Sequence, residues 1–130
     1  MTALRTMSWD EPKRITDAVK FELPSYSRDA VTIVSGAGVL EIGSVLGRIT
    51  ASGKFKLCSP AAVDGSQVAV AVLMTKVDAS AADKQALVLA RIAEVSNTGL
   101  VWHVDLNTAP ERATATAELK AVGIIVRQGA

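Results

Sequence analysis

The chain contains one cysteine, one histidine and, at 4% of residues, few aromatics. Each scarcity excludes something. A lone Cys58 leaves no internal disulfide framework and fits manufacture in a reducing cytoplasm. With so few aromatic rings, the core must be built mainly from Ala, Val, Leu and Ile. Net charge is only +1, with both signs interspersed, so there is no basic stripe to serve as a nucleic-acid footprint. A polybasic membrane anchor is missing for the same reason. The longest apolar run, Val68 to Met74, is far too short to span a bilayer. The first twenty residues lack the apolar stretch of a signal peptide. The expectation is therefore no nucleic-acid partner and no membrane.

What is present is a chain of 130 residues, the size of one ordinary domain. Apolar residues reach 49% and mean hydropathy is +0.30. A small domain has little interior for so many apolar groups. Either a subunit interface covers the excess, or small alanines raise the hydropathy without making adhesive patches.

Residues 1–24 differ from the rest. They are mixed and charged, show no clear period, and are interrupted by Pro12 and Pro24. They read as an extended arm that orders on a partner, or else as a strand or short helix docked on the domain itself. Trp9 is their only large aromatic before Phe21.

From Ala30 onward the pattern is β. Val31-Thr32-Ile33-Val34 is β-branched throughout, and Ser35-Gly36-Ala37-Gly38 is a turn cluster. Val39 to Gly43, Val45 to Thr50 and Lys54 to Leu57 read as further strands, the last alternating polar with apolar. Their spacing of about eight to ten residues is the rhythm of a β-rich domain. Gln67 to Leu73 is almost wholly apolar, as in a strand buried on both faces. Asp78 to Asp83 reads as a loop of small residues, and Lys84 to Val95 as one strand despite its alanines. One helix is well signalled. Thr108-Ala109-Pro110-Glu111 forms a capping box. Ala115, Leu119 and Val122 make one apolar stripe, and Gly123 stops the helix before the strand Ile124-Ile125-Val126.

No constellation of catalytic groups emerges. Cys58 and His103 could pair as nucleophile and base, but no motif supports them. Asp64, Asp78 and Asp83 are carboxylates of the kind that hold hard cations, yet they sit in contexts where Asp caps turns. Gly36-Ala37-Gly38 lacks the helix and the Lys-Ser/Thr pair of a phosphate loop. Lys76 in Leu-Met-Thr-Lys-Val does not match the modified lysine of a biotinyl or lipoyl carrier. No cofactor and no metal are expected, and the chain reads as a structural part rather than an enzyme.

Several segments taken in order carry a family resemblance. They are Ser27-Arg28-Asp29-Ala30-Val31-Thr32, the glycine-spaced run Gly38 to Gly47, Thr50-Ala51-Ser52-Gly53-Lys54 and Pro60-Ala61-Ala62-Val63-Asp64-Gly65-Ser66-Gln67. Ala90 to Val95, Leu100-Val101-Trp102 and Leu119 to Arg127 follow. Over about a hundred residues the chain resembles the phage head decoration proteins of the lambda head protein D type. It departs from them at His103, where the family often has Pro after the Trp.

The resemblance implies a mainly β, β-clip-like fold with one short C-terminal helix. It implies an arm over residues 1–24 and a head decoration domain over 25–130. It implies homotrimers at threefold and quasi-threefold sites on the exterior of an expanded capsid, bound to the major capsid protein and resisting DNA pressure. The arm would order against the shell; it does not match the family residue by residue, and its own Met7, Trp9, Ile15, Val19 and Phe21 are the candidate contact residues. The competing expectation is a β-clip module that binds carbohydrate or another small ligand.

Overall fold

The structure is a computed structural model and describes residues 13–128. Its elements, in chain order, are α1 (Ile15–Ala18), β1 (Val19–Glu22), β2 (Arg28–Ile33), β3 (Gly38–Leu40), β4 (Val45–Arg48), β5 (Phe55–Leu57) and β6 (Ala69–Leu73). They continue with β7 (Val77–Ala79), β8 (Lys84–Leu89), β9 (Ala93–Ser96), a 3-10 turn (Asn97–Gly99), α2 (Ala109–Ala121) and β10 (Ile124–Arg127). The β-rich fold with a helix near the C-terminus is as expected.

Five strands close into a barrel in the order β2-β5-β4-β6-β8. β2 and β8 pair antiparallel from Arg28 opposite Leu89 to Ile33 opposite Lys84. β2 and β5 run parallel and meet at the single pair Ile33 and Phe55. A second sheet, β1-β9-β10, lies outside the barrel, with β9 antiparallel to β1 and parallel to β10. β3 and β7 form a two-stranded ribbon.

Side chains alternate across a strand, and this alternation sorts the core in two. Ile33, Leu46, Ala71, Leu73, Ala86 and Val88 form one buried cluster, with Phe55 and Leu57 packed against it. All five barrel strands contribute, so this is the barrel interior. Their neighbours Val45, Val72 and Leu89 point the other way, into a second cluster with Val95, Ala115, Leu119 and Ile124. That outer cluster lies beneath α2 and the small sheet. The barrel wall is thus covered on both faces where β6 runs, which is why its sequence is continuously apolar.

The helix begins as its cap signalled. The Glu111 amide donates to Thr108 Oγ1 at 3.4 Å, and Pro110 sits in the first turn. The box is half-formed, however, because Glu111 Oε2 is buried without a partner. Ala115 and Leu119 are buried, Val122 packs on the same cluster, and Gly123 takes the left-handed conformation at φ +91°.

Two expectations are revised. Residues 84–95 form two strands, because at residues 90–92 the chain leaves the barrel for the outer sheet. Residues 78 and 79 belong to β7, which pairs with β3, so the small-residue loop is shorter than its sequence suggested. In residues 13–24, α1 and β1 are docked on the domain, the alternative raised for that segment. Ala18 is fully buried, and β1 joins β9 with Val19 opposite Val95. Only residues 1–12 of the expected arm lie outside the described residues.

Candidate interaction surface

Two glycines let the N-terminal segment approach the domain. A Cβ on Gly99 would lie 2.0 Å from the Asp17 carbonyl oxygen and 2.6 Å from the Ala18 Cα. A Cβ on Gly43, at φ +92°, would lie 2.2 Å from the Gly99 carbonyl oxygen. Backbone rests on backbone here, and no larger residue fits. The Lys13 ammonium closes the junction, donating to the Gly99 carbonyl at 2.5 Å. Burial holds its pKa below the usual lysine range, against the pull of Glu41 and Asp17. The one-turn helix is secured by the Arg14 amide, which donates to Asp17 Oδ2 at 2.8 Å.

Beyond β1 the surface becomes apolar. Phe21, Leu23, Tyr26 and Ile92 are exposed. They are brought to one end of the outer sheet by register and hydrogen bonds. Phe21 lies opposite Glu94, the Leu23 amide donates to Ser27 Oγ at 3.0 Å, and Ser27 Oγ donates to the Ile92 carbonyl at 2.7 Å. Ion pairs rim this end. Arg28 Nε donates to both Glu22 oxygens at 3.0 and 3.1 Å. Arg91 donates to Asp29 at 2.6 Å and lies 5.7 Å from the Tyr26 ring centroid. Ser25 at φ +73° and Ile92 at φ +41° are the non-glycine residues with left-handed backbones among those described. For the β-branched Ile92 this is strained.

A second set of exposed apolar groups lies on loops around β5. Val63 is 95% exposed and Val104 80%, far beyond the scattered half-exposed residues of an ordinary surface. The loop carrying Val63 is held down because Gly47 and Gly65 admit close backbone contact. A Cβ on Gly47 would lie 2.1 Å from the Ser66 carbonyl, and one on Gly65 2.2 Å from Thr50 Oγ1. Asp64 organises the turn. Its carboxylate accepts from the Ser66 hydroxyl at 2.6 Å and the Ser66 amide at 3.0 Å, and pairs with Lys56 at 2.9 Å. The Ser66 hydroxyl first, and Lys56 next, hold its pKa well below the usual carboxylate range.

The chemistry weighed from sequence finds structural employment. The Cys58 thiol is buried, donates to the Gln67 carbonyl at 3.4 Å, and is pushed up to about 11 by burial. A thiol so protonated is a poor nucleophile. His103 Nδ1 accepts the Asp105 amide at 3.0 Å, so it is engaged in its own loop. Asp78 accepts from the Ser80 amide, and Asp83 accepts from the Ser35 amide and Lys54. Among the described residues, no three His, Cys, Asp or Glu side chains group as metal ligands. No described helix is long and apolar enough to cross a membrane.

Of the candidate contact residues, Met7 and Trp9 lie outside the described residues. Ile15 and Val19 are partly buried against the outer core cluster. Phe21 is 47% exposed. Sequence reading missed Leu23, Tyr26, Ile92, Val63 and Val104. A signal existed for two of them: Tyr26 is the only tyrosine, and Val63 is a lone β-branched residue in a turn-forming loop.

A family model described as bacteriophage lambda head decoration protein D matches residues 8–124. No curated protein matches the chain. The chain belongs to the bacteriophage lambda head decoration protein D family.

Proposed function

We propose that this member of the lambda head decoration family binds the outside of the phage head as a homotrimer, seated at threefold and quasi-threefold positions of the expanded shell. There it holds neighbouring major capsid subunits together against the pressure of packaged DNA. The observation that carries the reading is the family match, which spans residues 8–124 and so reaches into the N-terminal segment.

The mechanism is clamping. Each trimer touches several shell subunits at once, so modest contacts add through effective concentration. In this reading Met7 and Trp9 of the segment before Lys13 meet the shell, and exposed Phe21 extends that surface. Ile15 and Val19 work from behind by fixing the base of the arm to the core. Leu23, Tyr26 and Ile92 widen the apolar surface, and aromatic anchors often dominate such interfaces.

The test is co-sedimentation of the protein with expanded and unexpanded shells of its phage in parallel. Saturable binding to expanded shells alone is the expected outcome. A variant lacking residues 1–12 should keep its fold and lose most of that binding. Truncation must stop there, because residues 15–22 are part of the fold. Equal binding to both shells, or to neither, contradicts the proposal.

A further inference from the structure

Among the described residues, Ser25 and Ile92 are the non-glycine residues with left-handed backbones, and both lie at the apolar end of the outer sheet. Ile92 departs further from ordinary preference. A branched Cβ at φ +41° crowds its own backbone, and such positions persist only where the surroundings over-determine them. Here every residue of the turn is held. The Ala90 amide donates to the Ser27 carbonyl at 2.8 Å, and the Ala93 amide to the Gly123 carbonyl at 3.1 Å. Arg91 donates to the Tyr26 carbonyl at 2.5 Å and to Asp29 at 2.6 Å. The fully buried Ser27 donates through Oγ to the Ile92 carbonyl at 2.7 Å. Gly123 lets β10 close on the turn, because a Cβ there would lie 3.1 Å from the Ile92 nitrogen.

That scaffold fixes the backbone, and glycine would meet its φ without strain. The core does not account for the isoleucine side chain either. It is 43% exposed and packs on neither buried cluster. The charges around it are neutralised within the chain, Glu22 by Arg28 and Asp29 by Arg91. This end therefore offers a rigid apolar surface without net charge, and its complement is an uncharged apolar recess.

We propose that Ile92 is an anchor for the shell: its side chain, held ready by the strained turn, enters an apolar recess of a shell subunit. That contact, and not the fold, is what isoleucine serves at this position. A side chain fixed in advance loses little conformational freedom on binding. The inference rests on the shell-binding reading and names a residue that sets its strength.

The test is a pair of measurements on full-chain variants. In chemical denaturation without shells, Ile92→Gly should unfold at no lower denaturant concentration than the wild type. It should also outlast Ile92→Ala, the reverse of the usual order of glycine and alanine. In co-sedimentation with expanded shells, both variants should bind at least about tenfold more weakly. The loss should be equal at low and high salt, because no charge is removed. An Ile92→Gly protein less stable than the wild type would return the side chain to the fold and overturn the proposal. Wild-type binding matched by both variants would overturn the proposal alone. A wild type that binds no shell would overturn the capsid reading and the proposal together.

Discussion

In the barrel, β2 meets β8 through a continuous run of residue pairs from Arg28 to Ile33. In the outer sheet, β1 meets β9 through a register shift between Val19 and Phe21, and among the described residues its other edge is unpaired. The barrel hides its edges and fills its interior with Ile33, Leu46, Leu73 and Val88. The outer sheet is assembled from distant parts of the chain, at residues 19–22, 93–96 and 124–127, and ends in exposed Phe21 and Ile92. Open strand edges and apolar ends are hazards that proteins normally cover. In the proposed reading, the closed barrel holds the fold and the outer sheet offers its open edge and apolar end to the partner.

Breaking each region should give different failures. The largest effect is expected from Gly47→Ala. Its Cβ would lie 2.1 Å from the carbonyl of Ser66, a fully buried residue of the loop that packs on β4. A loss of about 4 kcal/mol or more is expected, in the range of the most severe single substitutions. Chemical denaturation should show it as a single cooperative transition moved to low denaturant.

Leu119→Ala comes next. Leu119 is fully buried where α2 meets the barrel wall, and cavity formation there should cost about 3 kcal/mol by the same measurement.

Gly99→Ala makes an equally short contact, 2.0 Å to the Asp17 carbonyl, but against the one-turn α1 outside the barrel. The expected cost is about 2 kcal/mol, within the range of overpacking substitutions. Hydrogen exchange should show protection lost at residues 15–22 and kept in the barrel. Equal global losses in Gly47→Ala and Gly99→Ala would remove the distinction between the two regions.

The smallest effect concerns the turn at Asp64. Its pKa is held down in the folded state, so its contribution is complete above the unfolded value of about 4. That contribution is lost as pH falls through the lower folded value. Asp64→Asn should therefore be less stable than the wild type near neutrality, and the two should converge in acid. Thermal melts across pH would show a gap independent of pH if the carboxylate charge were irrelevant.

The same division explains what could be read from sequence. Barrel strands follow local patterns: a period of two in Lys54 to Leu57, and continuous burial in Ala69–Leu73. The helix carries its own signals in Thr108, Pro110 and Gly123. The outer sheet has no such local signature. β1 is short, follows a one-turn helix, and is ordered by Gly43, Gly99 and β9, all far away in sequence. The break at residues 90–92 was equally hidden, because Ile92 in a left-handed backbone contradicts local preference and is imposed by the tertiary fold. The apolar end of the outer sheet was illegible for the same reason. Phe21, Tyr26 and Ile92 converge only when β1 and β9 pair.

The most direct test of this division is hydrogen exchange on the full chain, free and bound to expanded shells. The account predicts new protection in β1 and its apolar end, at residues 19–27 and 91–94, with the barrel strands unchanged. New protection confined to the barrel strands, with none in residues 19–27, would contradict it.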